Sequence, residues 1–215
     1  MAVIKHALFV GLIVFFLEPA SARFVTDYKY PTDNRGWSWF PSFYFEGGLE
    51  TKYGSMVSQD QRKVPKVNLS GFGVSGHIGW APSFLNLGLG GEYIKWNQIT
   101  DIAKVNNINV GGTQTGTFLL AGLHFLKLTF AAKYFLTSTY EFSQTSSFDT
   151  QVSLRKLEPS FSLELLYHAS HYITYGLSYG SINYKSYEEA STKGTLTEEQ
   201  KTELKRFGLK LGILF

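Results

Sequence analysis

Arg206-Phe207-Gly208-Leu209-Lys210-Leu211-Gly212-Ile213-Leu214-Phe215 closes the chain, and its alternation governs how everything before it is read. At a period of two, Phe207, Leu209, Leu211, Ile213 and Phe215 share one face, and Arg206, Gly208, Lys210, Gly212 and Leu214 share the other. A soluble β-protein that turns a fully apolar face inward should match it with a water-seeking one. Here the second face is largely glycine, with two long cations and no short polar group. That pattern suits a strand whose greasy side meets lipid while its other side lines a narrow, filled lumen.

Working outward, the whole composition agrees. The 215 residues suffice for one domain, and a 16% aromatic share, 21 glycines and only 17% charged residues lean towards β-structure. Mean hydropathy is −0.07, a value that alternation produces by averaging lipid-facing and lumen-facing positions. With no cysteine, stability must come from closure and packing, and thiolate metal sites and cysteine nucleophiles are excluded. The formal net charge is only +3, and no basic stretch is clustered enough to follow phosphates, so no nucleic-acid partner is expected.

Residues 1–22 read as a cleaved secretory signal: Lys5 leads, Ala7 to Leu17 is apolar, and Ala20-Ser21-Ala22 offers a small-residue cleavage site. The run is too short for a retained span, and no later segment is long and apolar enough for a transmembrane helix. Residues 23–39 carry Pro31, Asp33-Asn34 and Gly36 without periodicity and read as a periplasmic N-terminal arm. Trp37, Trp39 and Phe40 then start an aromatic girdle.

Residues 40–215 divide into eight alternating segments whose connections are in turn long and short. The expected fold class is all-β, an eight-stranded antiparallel up-and-down transmembrane barrel. Outward positions include Phe45, Leu49, Phe72, Leu89, Leu119, Phe130, Leu163 and Leu177. Three places strain the pattern. Ile94-Lys95-Trp96 breaks parity, which a bulge at Gly90-Gly91 would repair. Pro159 cannot donate to a ladder and predicts a bulge in the sixth strand. A short helix over Thr197 to Leu204 fits the last long loop. The fifth strand is expected to turn Glu141 inward and Tyr140 outward, and the sixth to turn Glu158 inward.

An alternating apolar strand ending on Phe215 resembles the C-terminal signal of bacterial outer-membrane barrels. The chain resembles small eight-stranded barrels such as the membrane domain of outer membrane protein A, without that protein's peptidoglycan-binding domain. The resemblance implies a monomer in the bacterial outer membrane. Its implied partners are outer-membrane lipid or lipopolysaccharide and, through the strand ending in Phe215, the barrel assembly machinery.

The candidate site is the lumen. Glu46, Glu50, Glu92, Lys133, Glu164 and Lys210 are expected at mid-depth with His77 at similar height, and Lys52 and Arg206 also point inward. If the first and last strands close the barrel, Lys210 falls between Glu46 and Glu50. Four mid-depth acids against two bases leave a deficit, which predicts a carboxyl that keeps its proton or a charged His77. The expected role is structural, in envelope integrity, with the lumen closed by a salt-bridge network; a narrow gated channel or porin is the alternative. A lipid A-modifying enzyme is a further alternative, since His168-Ala169-Ser170 sets a base near a hydroxyl. The bland reading of that pair is a turn, and no catalytic residue, cofactor or metal site is assigned. His77, His124, His168 and His171 fall on different strands or a turn. A transporter of small apolar molecules, as in the outer membrane protein W group, would need an apolar lumen near the outer mouth. The inward set reads instead as mostly Gly, Ser, Thr and charge.

Overall fold

The structure, a computed structural model, describes residues 43–58, 66–80, 85–99, 110–125, 127–143, 151–156, 158–170, 173–191 and 194–214. The expected signal sequence, N-terminal arm, first aromatic cluster, Phe215 and most of the long loops lie outside these residues. Nine strands form one antiparallel sheet: β1 (Phe43–Ser58), β2 (Val67–Trp80), β3 (Leu85–Gln98), β4 (Gly112–Phe125), β5 (Leu128–Phe142), β6 (Gln151–Lys156), β7 (Phe161–His168), β8 (Ile173–Ser191) and β9 (Gly194–Leu214). Every strand except β7 pairs with the one before it, and β9 returns to β1 from Glu46↔Leu214 to Ser58↔Thr202. Both β6 and β7 lie between β5 and β8, so they fill one place in a ring of eight. Closure leaves no free edge within the ring, which is what a sheet inside lipid requires.

The split between β6 and β7 falls around Pro159 and is wider than a single bulge. Register passes from Lys156↔Tyr184 to Phe161↔Ser181, so the proline-bearing side carries extra residues across the break. Side chains replace the missing ladder there: Asn183 N–H donates to Ser160 Oγ at 2.9 Å, and Asn183 Nδ2 donates to the Pro159 carbonyl at 3.0 Å. Phe135 N–H donates to the Ser160 carbonyl at 3.0 Å, tying the break to β5.

Four expectations are corrected. No bulge sits at Gly90-Gly91: β3 runs in unbroken register against both β2 and β4, with Ile94 and Trp96 inside and Lys95 outside. The bulge lies on β5, where Thr117↔Thr137 is followed by Phe118↔Phe135 and Leu136 is left over. Parity flips beyond it, so Ser138 and Tyr140 enter the lumen while Glu141 faces out. Glu158, at the break, also turns out and pairs with Lys201 at 3.5 Å. Finally, no helix forms over 197–204. β8 and β9 continue as one long hairpin with a register shift between Tyr184 and Ser186, because cross-strand pairing on both sides of the shift outweighs local helix propensity.

Candidate functional site

The lumen has two storeys of different chemistry. In the lower one, nearer the short turns, inward positions of β1, β3, β5, β7 and β9 bring together Glu46, Glu50, Lys52, Glu92, Lys133, Glu164, Arg206 and Lys210, each at most 5% exposed. Lys52 Nζ lies 2.7 Å from Glu50 Oε2 and 3.3 Å from Glu92 Oε2. Lys133 Nζ lies 2.5 Å from Glu164 Oε1 and 3.8 Å from Glu50 Oε1. Lys210 Nζ sits 2.7 Å from Glu46 Oε1, and Arg206 Nη1 pairs with Glu92 Oε1. Neutral donors reach two of the four acids: Ser75 Oγ donates to Glu50, and Gln114 Nε2 donates to Glu92 Oε1 at 2.7 Å.

All seven residues expected in this layer are therefore buried in the lumen, with Lys210 opposite Glu50 in the β1–β9 register and His77 opposite Glu46 in the β1–β2 register. The predicted deficit of cations does not hold. Lys52 and Arg206 reach down into the layer, so four carboxylates meet four cations among the described residues. Balance removes the need for a protonated glutamate or a charged His77. Depth counted along a strand missed this because Lys and Arg side chains are long enough to carry charge well away from their own Cα.

The upper storey is apolar. Met56, Leu69, Ile94, Trp96, Phe118, Phe135, Tyr140, Leu154, Ile182, Tyr184 and Leu204 form one buried cluster inside the ring. This corrects the reading of the lumen as mostly Gly, Ser, Thr and charge; many of those glycines are the space into which larger side chains fold. A Cβ at Gly71 would stand 2.8 Å from the Trp96 ring, and one at Gly208 would stand 2.9 Å from Lys52 Cγ. The storeys interlock. Lys133 Nζ lies 4.3 Å from the Phe118 ring centroid and the Arg206 guanidinium carbon 4.6 Å from that of Phe135, while the two rings meet edge-on at 5.9 Å. Trp96 Nε1 donates to Gln114 Oε1 at 3.1 Å, and Gln114 in turn holds Glu92.

The outer surface inverts at the same height. Alongside the ionic storey it is greasy: Phe45, Leu49, Val74, Ile78, Leu89, Leu123, Phe130, Leu163, Leu177, Leu209 and Leu211 are all at least 40% exposed. Tyr53, Phe72, Tyr93, Phe161, Tyr179 and Phe207 cap this belt, with Tyr179, Phe207 and Tyr53 in consecutive cross-strand pairs. Above them the outward residues are Lys95, Thr117, Thr137, Glu141 and Lys205, and exterior ion pairs appear, such as Arg155 with Glu188 at 2.8 Å. A wall that is apolar outside and charged inside, then apolar inside and polar outside, passes from hydrocarbon into water. The aromatic ring marks the boundary.

No protein-family model matches the sequence, and no curated protein matches it. The fold is similar to that of outer membrane protein AlkL, solved by solid-state NMR in DMPC bilayers, with a TM-score of 0.50 and 11% identity over 87% of this chain and 95% of that one. Ail, the attachment invasion locus protein of Yersinia pestis, gives a TM-score of 0.49 at 8% identity over 80% of this chain and 98% of that one. Neisserial surface protein A gives 0.44 at 10% identity over 78% and 95%.

This is the fold of a small outer-membrane β-barrel. At such identities the likeness speaks to the fold, and the belt seats the barrel in a lipid bilayer.

Two further placements concern the floor of the barrel, at the short turns. The turn between β7 and β8 holds Ser170, whose Oγ accepts the Ile173 N–H at 3.1 Å. His168 is fully buried, with Nε2 2.8 Å from Thr129 Oγ1. The hydroxyl and the imidazole that suggested an enzyme thus each serve the fold. Sequence spacing also scattered the histidines, yet the barrel brings two together: His124 Nδ1 lies 2.9 Å from the same Thr129 Oγ1, and the His124 and His168 rings meet edge-on at 5.1 Å. Among the described residues no group of three or more His, Cys, Asp or Glu is disposed to hold a metal ion.

Proposed function

We propose that the barrel is a non-catalytic, non-conducting structural element of the outer membrane, with its lumen closed from within by the salt-bridge layer. The observation that carries this reading is the balance of Glu46, Glu50, Glu92 and Glu164 against Lys52, Lys133, Lys210 and Arg206, all nearly sealed from solvent. Buried charges are tolerated only when paired and hydrogen-bonded, so a path for ions or water through this layer requires breaking several close contacts at once. Above it, tightly buried aromatic and aliphatic side chains leave apolar solutes no more room than water. The apolar upper storey meets one requirement of a small-molecule transporter, but as a filled core rather than a lined passage.

Surrounding lipid or lipopolysaccharide is the proposed partner of the belt, and the assembly machinery the proposed reader of the last strand. The test is conductance in planar bilayers of the unaltered protein and of Lys210→Ala and Lys133→Ala. Silence in all three supports the structural reading. Channel opening in either variant means that the layer is a gate.

A further inference from the structure

The turn between β4 and β5 and the turn between β7 and β8 are fastened together through one hydroxyl. Thr129 Oγ1 stands between His124 Nδ1 at 2.9 Å and His168 Nε2 at 2.8 Å, and the His168 N–H donates to the Lys127 carbonyl at 2.8 Å. Thr129 and His168 are fully buried, whereas His124 is half-buried at the mouth. A hydroxyl has one proton to give, so Thr129 donates to one imidazole and accepts from the other. That arrangement is complete with both rings neutral, and equally complete with one of them charged. With both charged it fails. Each ring nitrogen at Thr129 would then carry a hydrogen, the Thr129 proton would lose its acceptor in a buried site, and two cations would stand with ring centroids 5.1 Å apart.

We propose that His124, Thr129 and His168 form an acid-sensitive latch on the floor of the barrel, closed with at most one proton on the two imidazoles and released by the second. The surroundings offer that second proton no free counter-charge. From across the lumen His168 faces Glu46 on β1 and Lys210 on β9, which pair with each other at 2.7 Å, and His77 on β2 stands opposite Glu46. Glu164, two lumen positions above His168 on β7, is held by Lys133 of β5 at 2.5 Å. Thr174 on β8, opposite His168, and the buried Asn86 on β3 are uncharged, while the Lys127 ammonium lies 5.8 Å from the Tyr167 ring centroid. Once the two turns part, each ring meets water and charges near an ordinary imidazole value of about 6.5. The open floor therefore binds two protons where the closed floor binds at most one, so the closed form loses ground as pH falls below that value. The latch holds the lower ends of β4, β5 and β7 and does not depend on whether the ionic layer above it conducts.

The test is amide-resolved hydrogen exchange by NMR on the full barrel in DMPC bilayers at pH 7.5 and pH 5, corrected for the intrinsic pH dependence of exchange. The His168 amide, bonded to Lys127 beside the latch, reports opening of the floor; Leu177 and Leu209, paired in mid-belt, report the wall. Protection at His168 is expected to fall at least about tenfold between the two pH values, the shift that one extra proton in the open form produces, while Leu177 and Leu209 keep theirs. His124→Phe retains a ring against His168 and leaves Thr129 free to donate to it, so its His168 protection is expected to be the same at both pH values. His124→Gln takes its place if the phenylalanine variant lacks heat-modifiable migration on a gel. Unchanged protection at His168 in the parent protein, or an equal fall in the folded variant, overturns the latch. An equal fall at Leu177 and Leu209 overturns it too, because the whole wall is then loosening. Conductance at pH 5 alongside the expected exchange pattern contradicts the sealed lumen and supports the latch, which separates the two readings.

Discussion

Lys210 shows how much one lumen residue carries. Its ammonium lies 2.7 Å from Glu46 Oε1 and faces Glu50 across the closing ladder, in a setting where an unpartnered carboxylate is strongly disfavoured. Lys210→Ala is therefore expected to destabilise the barrel by about 3–5 kcal/mol, since it leaves a buried charge without its partner. Replacing both members, as Glu46→Leu with Lys210→Met, should cost far less or even stabilise, because an apolar pair has no desolvation penalty to offset. Urea unfolding in lipid vesicles distinguishes these outcomes, and equal losses in the single and double variants would contradict the pairing. At this scale the sequence showed which residues are inside, because parity alone fixes that on an uninterrupted strand. It did not show which charges meet: Lys52 and Arg206 reach the layer by side-chain length, which period-two counting cannot register.

Among the elements, the β6–β7 break is where the wall depends on side chains rather than on ladder hydrogen bonds. Ser160 is buried and its Oγ receives the Asn183 N–H at 2.9 Å. Ser160→Ala is expected to cost about 1–3 kcal/mol, the usual penalty for orphaning a buried amide, and to raise hydrogen exchange at Asn183. Unchanged stability and exchange would mean that the break is held some other way. Pro159 announced this irregularity from sequence, since a residue without an N–H cannot sit in a closed sheet unaided. The β5 bulge at Leu136 had no such signal. The residues around it, Phe135-Leu136-Thr137-Ser138, read equally well in either parity, and only the register against β4 and the buried space for Tyr140 decide. Ile94-Lys95-Trp96 looks like a break of parity at Gly90-Gly91 only while the outside is taken as lipid throughout, whereas Lys95 lies above the belt where the outside is water.

For the molecule as a whole, the inversion of polarity at the aromatic ring is the central claim, and it explains why the upper storey escaped the sequence reading. A lumen assumed polar throughout makes Ile94, Trp96 and Met56 look like errors of parity. A barrel that rises out of the bilayer makes them the core of a protruding, water-surrounded segment, packed as any soluble β-barrel is packed. The C-terminal alternation was legible because β9 from Phe207 to Leu214 lies alongside the belt. β9 above Phe207 follows the opposite rule, with Leu204 inside and Lys205 outside.

The most direct test is a single-cysteine spin-label scan in lipid vesicles, which the absence of native cysteine makes unambiguous. Labels at Leu163, Leu177, Leu209 and Leu211 are expected to collide with oxygen dissolved in the bilayer and not with a water-soluble nickel chelate. Labels at Lys95, Thr117 and Lys205 are expected to do the reverse. Nickel access at Leu209 and Leu211, or oxygen access at Lys95 and Lys205 equal to that at the belt, would contradict the account.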